Sequence, residues 1–185
     1  MNLYQLALAA LSALSAILLI YISYIILRVY LRVGESPLGY LSLFFAILAV
    51  SQVASTASHL VDDPRVSLSL YSSSSSIASA AFIILLYSIS RSRREEVYAI
   101  ALPALLTSSP DLIASILSLA SSLSVKGRAL KAYLMALSIA FFLKGLSALL
   151  LASLTGLYLA LASELLRAIV TLLFAIYHAR RVAGS

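Results

Sequence analysis

Long apolar runs broken only by short polar punctuation leave this chain one solvent to fold in. The first extends from Leu3 to about Ile26 without a charged residue, and others follow from about Leu38 to Leu60 and from about Val66 to Ser90. A hydrocarbon core roughly 30 Å thick is crossed by about 20 apolar residues in helical form, and a helix satisfies its internal backbone groups without water. The fold class expected is therefore all-α, a polytopic membrane helix bundle. Charged residues make up 11% of the sequence, against about a quarter in soluble domains. Residues 1–185 are accordingly read as a single transmembrane domain with no soluble domain.

The punctuation marks the helix ends. Arg28 and Arg32 close the first run, and Gly34-Glu35-Ser36-Pro37 reads as a turn with proline opening the next helix. Asp62-Asp63-Pro64 is a second stop and restart, and Arg91, Arg93 and Arg94 close the third run. Two further spans are expected from about Ala129 to Leu154 and from about Leu157 to Ala179, joined by a hairpin at Thr155-Gly156. The first run has no basic leader and exceeds the roughly 7 to 15 apolar residues of a signal peptide, so it is expected to be retained as a helix.

Residues 95–125 are long enough for one tilted span but are interrupted by Thr107-Ser108-Ser109-Pro110-Asp111. Ser109 reads as an N-cap, Pro110 as the first helical residue, and Asp111 as an acid at the positive end of a helix dipole. A helix that starts there follows a break. Charge counting selects between the models. A single crossing leaves basic residues evenly divided between the two faces. An out-and-back path places Arg28, Arg32, Arg91, Arg93, Arg94, Lys126, Arg128, Lys131, Arg180 and Arg181 together, with Arg65 alone opposite. The positive-inside rule favours the second path. The expectation is seven helices, or six spans plus a re-entrant hairpin at about 95–125, in a cell membrane with the N-terminus outside and the C-terminus inside.

The net charge of +6 does not point to nucleic acid, because the cations lie at the ends of apolar runs and form no stripe. There is no cysteine, hence no disulfide or thiolate metal site. Few Asn and Gln, and arginines outnumbering lysines, suggest a thermophilic source.

Three ionisable residues interrupt the last two spans: Lys144, Glu164 and Arg167. Each costs about 2.5 to 3.5 kcal/mol at the centre of a span on insertion scales, so they are expected to face inward as a buried cluster of net charge +1. Such a cluster serves either as an interhelical clamp or as a site for an anionic group or an ion pathway. A turn at Thr155-Gly156 sets Lys144 at the depth of Arg167. Ser108, Ser109 and Asp111 form a possible polar site at the helix break, and Gln52, Ser55 and Thr56 a possible polar lining on the second span. The serine run Ser72 to Ser76 and the small residues Ala114, Ser118 and Ser122 suit close helix packing, and such faces offer contact to a protein partner or a second copy within the lipid bilayer.

Ser55-Thr56-Ala57-Ser58-His59 followed by Asp62 resembles the Ser-x-x-x-His and Asp elements of the seven-helix membrane hydrolases that include the adiponectin-receptor family. The resemblance implies a zinc hydrolase with Ser55, His59 and an aspartate near the metal. The last span holds only His178, with Phe174 where that family places a second histidine, and helix parity sets His59 and His178 at opposite faces. No metal and no cofactor is therefore expected, and no phosphate loop or nucleophile elbow is visible. The reading is a non-enzymatic sensory module or an embedded subunit of a membrane complex. The alternative is a small-solute or ion transporter, a class that commonly shows paired halves, and no internal repeat is legible in the residues.

Overall fold

The computed structural model describes residues 3–90, 110–150 and 154–183. It is all-helical there: α1 Leu3–Val33, α2 Ser36–Leu60, α3 Pro64–Ser90, α4 Pro110–Ser124, α5 Arg128–Leu149 and α6 Leu154–Ala183. All but α4 are long and apolar enough to cross a membrane. The chain is thus a multi-pass membrane protein by the character of its helices. The expected helix or hairpin arm within 95–109, with Ser108 and Ser109, lies outside the described residues.

Local chemistry sets the ends. Gly34 adopts φ 75 and its N–H bonds to the Tyr30 carbonyl at 2.7 Å, a left-handed cap that a side chain disfavours. The helices break at the expected Gly34-Glu35-Ser36-Pro37 turn, with α1 running to Val33 just past Arg28 and Arg32, because a cation at the membrane surface ends a span without ending a helix. At α3 the Asp63 carboxylate accepts the Arg65 N–H at 2.8 Å, so the helix begins at Pro64, slightly before the expected Val66. The expected hairpin at Thr155-Gly156 is corrected: both residues lie in the first turn of α6, and α5 ends at Leu149. Leucine-rich sequence around Thr155 supports helix, and a lone glycine does not stop one.

Side-chain contacts give each helix its sense. Ser23 pairs with Ser42 and Ser51 with Ser74, so α1, α2 and α3 alternate. Ser115 with Ser138 and Ser163 with the Ala140 carbonyl make α4, α5 and α6 alternate too. Tyr4 bonds to the Leu157 carbonyl and Ser12 to Glu164, so α1 and α6 run in parallel. It follows that α3 and α4, though consecutive among the described helices, also run in the same sense. One end of the bundle therefore carries Arg28, Arg32, Lys126, Arg128, Lys131 and Arg180, and the other carries Asp62, Asp63 and Arg65. The 15 residues of α4 span only about 22 Å. Its first carbonyl, from Pro110, accepts a bond from Ser79 in the middle of α3, so α4 starts deep inside the bundle and ends at the basic end.

The six helices form a ring in chain order, closed by α6 against α1. The ring repeats in its burial pattern. The offset that carries Ser74 onto Ser163 carries α2 and α3 onto α5 and α6, and buried positions fall on buried positions with four exceptions: Ser42 against exposed Lys131, Ala81 against half-buried Val170, and buried Gly145 and Gly156 against half-buried Thr56 and Ser67. At a different offset Ser12, Ser15, Ala16, Leu19 and Ile22 on α1 match Asp111, Ala114, Ser115, Ser118 and Ser121 on α4, all buried, while Leu117, Ala120 and Ser122 of α4 are buried where Leu18, Tyr21 and Ser23 are not. Any two buried helices share a 3.6 period, but here a single offset serves two helices and the contact between them: Ser51 bonds to the Ser74 carbonyl and Ser163 to the Ala140 carbonyl, each at 2.8 Å. In order, sense and burial register α1, α2 and α3 thus correspond to α4, α5 and α6, a likeness of two halves that the residue string does not show.

Candidate functional site

Polar and aromatic residues segregate by depth. Nearer the basic end, Phe44, Phe45, Phe82, Tyr133 and Phe174 are buried against one another with ring centres 4.6 to 5.8 Å apart, and Phe141 joins them through Phe82. Nearer the other end the interior is polar. There Lys144, Glu164, Arg167 and Asp111 are all at least nine-tenths buried.

Glu164 is the hub. Its Oε1 accepts from Nη2 of Arg167 and lies 3.8 Å from Nζ of Lys144, while Oε2 accepts from Ser12 Oγ at 3.1 Å. Arg167 follows Glu164 by three residues on the same helix face, and its guanidinium carbon sits 5.3 Å from the centre of the Phe141 ring. With the turn displaced toward α5, Lys144 meets Glu164 directly and Arg167 lies deeper, a shift from the expected pairing of Lys144 with Arg167 in depth.

Asp111 is the member that the residues alone placed elsewhere. At the first turn of α4 it keeps its dipole position, but it is 1% exposed and accepts Tyr71 Oη at 2.7 Å and Ser75 Oγ at 2.6 Å. Nζ of Lys144 stands 4.6 Å from the centre of that same Tyr71 ring, so the tyrosine joins the two carboxylate centres. The three expected residues come together with a formal charge of +1, and Asp111, linked to Lys144 through Tyr71, brings the buried centre to two cations and two carboxylates, formally neutral. His59, at the end of α2, lies within electrostatic reach of Glu164, Lys144 and Arg167.

The two halves meet at equivalent pairs. Under the repeat, Ser75 corresponds to Glu164 and Asp111 to Ser12. The Ser75–Asp111 bond between α3 and α4 and the Ser12–Glu164 bond between α1 and α6 are therefore the same hydroxyl–carboxylate contact with donor and acceptor exchanged.

Hydrogen-bond supply falls short at the centre. Nζ of Lys144, Nε and Nη1 of Arg167, Oε1 of Gln52, the Ser15 and Ser55 hydroxyls and Nε2 of His59 are buried without a hydrogen-bond partner. Each such group costs about 1 to 3 kcal/mol, more when charged. Gln52 and Ser55 are thus buried within the bundle with unmet hydrogen-bonding groups. Thr56 does not serve as lining: its hydroxyl bonds back to the Gln52 carbonyl at 2.9 Å, a local option open to any helical threonine. Of the serine run, Ser74 and Ser75 face inward and Ser72, Ser73 and Ser76 outward. Ser118 bonds to the Leu134 carbonyl at 2.7 Å, the packing role expected of the small α4 face.

His59 and His178 lie at opposite ends of antiparallel helices, with the His178 ring against Phe174 and Tyr177. Among the described residues no three His, Cys, Asp or Glu gather as a metal site, and Asp62 is exposed in the α2–α3 turn. Comparison with protein families, with curated proteins and with solved structures finds no match for this chain.

Proposed function

We propose that this chain is a non-enzymatic carrier that binds a small, neutral, oxygen-bearing solute between its two halves. The observation that carries the reading is the donor-rich centre at the interface of a parallel repeat, the location and architecture common to carriers built from repeated halves. The charges there are already balanced. An added anion would leave an uncompensated charge in a low-dielectric interior, whereas hydroxyl or carbonyl oxygens supply the missing acceptors at no net charge. A polyol or a small amide has this chemistry. Lys144 and Arg167 donate to it, Gln52 accepts from it, and Tyr71 orders the Lys144 side. The aromatic layer closes the path toward the basic end, which the positive-inside rule makes cytoplasmic.

Proteoliposomes test the reading by light scattering after an osmotic step. Faster entry of glycerol or erythritol than into empty vesicles, lost in Lys144→Met, is the expected result. Equal entry with and without protein overturns carriage. The same aromatic layer favours a second reading, a sensory module or embedded subunit in which the closure is permanent. That reading expects the polyol to raise the unfolding temperature without crossing the bilayer.

A further inference from the structure

At the basic end, α5 and α6 do not close on each other. Ala129, Ala132 and Ala136 on α5 face Val170, Leu173 and Tyr177 on α6 across a groove of about 290 Å³. Through Leu173 and Tyr177 it continues into an open depression of about 720 Å³ that includes Arg180. The equivalent interface of the first half is built differently. The positions matching the three alanines are Tyr40, Leu43 and Ile47, and Tyr40 meets Tyr87 of α3 edge-on at 6.4 Å, which fills the space. The residue before them is Gly39 in the first half and Arg128 in the second. At one interface of the two halves, bulk is replaced by methyl groups, an arginine precedes them in the chain, and Arg180 lines the adjoining depression.

The geometry points to a binding site for one anionic phospholipid of the leaflet at the basic end, with an acyl chain in the alanine groove and the phosphate between Arg128 and Arg180. An apolar void between membrane helices forfeits dispersion contacts on one side, and the fluid that reaches this one is lipid. Charge decides which lipid. Glu35, in the α1–α2 turn, is the one acid at this end among the described residues, so the groove opens into a field that is otherwise positive. Basic residues at the surface between membrane helices favour anionic headgroups.

Native mass spectrometry of the protein in mild detergent, titrated with phosphatidylglycerol or phosphatidylcholine, tests the site. One phosphatidylglycerol is expected to persist under activation that strips phosphatidylcholine. Arg180→Gln and Arg128→Gln should each lower that preference, roughly fivefold per arginine, and Arg65→Gln at the far end should not. The double variant Ala132→Leu/Ala136→Leu fills the groove without changing charge and should abolish retention of either lipid. Two results overturn the proposal: equal retention of the two lipids by the unaltered protein, or phosphatidylglycerol retention that survives groove filling, which would mean surface charge alone holds it. The arginine variants are exposed and leave the packing intact, so they decide the matter even if the leucine variant fails to fold.

Discussion

Glu164 carries two cations and one hydroxyl in a buried site, and this makes it the least replaceable residue of the centre. Glu164→Gln would leave Lys144 and Arg167 with no balancing charge closer than Asp111, which is already occupied by Tyr71 and Ser75. Breaking a buried pair in this way costs about 3 to 5 kcal/mol. Lys144→Met removes an ammonium that makes no hydrogen bond and leaves the Glu164–Arg167 pair intact. Thermal unfolding in detergent should therefore rank Glu164→Gln well below Lys144→Met, and the opposite order would show that Glu164 is not the hub. The three residues were legible because a charge in an apolar run has to be neutralised somewhere. Ser12 and Tyr71 were not, since nothing along the chain separates Ser12 from the other serines until α6 is known to lie beside α1. Asp111 was legible as a helix-start acid, and its second role depends on α4 starting inside the bundle.

Helix boundaries moved where a polar residue is compatible with two local structures. Between α1 and α2 they did not: α1 passes Arg28 and Arg32 to end at Val33, and the stop is the expected turn at Gly34, whose φ is positive. Gly34→Ala should cost about 1 to 2 kcal/mol through the left-handed backbone alone, since a methyl group there meets nothing within 4 Å. An unfolding titration reads this directly, and an unchanged midpoint would show that the turn relaxes. The Thr155-Gly156 reading failed because two weak turn formers were set against leucine-rich flanks, and the error displaced the α5–α6 register. The out-and-back path expected from charge sets Lys126 with Arg28, Arg32 and Arg180, and the described helices have that relative sense. Single cysteines replacing Arg32, Lys126 and Arg180 in this cysteine-free chain should all react with an impermeant maleimide from one side of a vesicle, and one replacing Arg65 from the other. Reaction of the Lys126 site together with the Arg65 site would break the parallel arrangement of α3 and α4.

The repeat is a property of the whole molecule, and the residue string conceals it because the halves share burial register far more than side-chain identity. Ser55 matches Lys144, Ala78 matches Arg167 and Gln52 matches Phe141, so one half supplies the charges and the other the small and polar surfaces that accept them. Within each half the helices are tied by hydroxyl to backbone bonds such as Ser51 to Ser74 and Ser115 to Ser138. Between the halves, the central contacts are the hydroxyl–carboxylate pairs, whose partners a solute hydroxyl could replace. Hydroxyl-to-backbone bonds also cross the seam at Ser79 and Tyr4, and the proposed carrier requires that the halves move there, which tethering can decide. Ser51 and Ser74 have hydroxyl oxygens 3.3 Å apart, close enough for a Ser51→Cys/Ser74→Cys disulfide after a small adjustment to an S–S length of about 2.05 Å. That lock lies inside one half and should leave polyol entry unchanged. A bismaleimide bridge between Tyr4→Cys on α1 and Leu157→Cys on α6 crosses the seam away from the charged centre, and it should stop entry while thermal stabilisation by the polyol persists. Entry that continues through the bridged protein would mean the halves do not move against each other, and the polar centre would then stand as a fixed binding site.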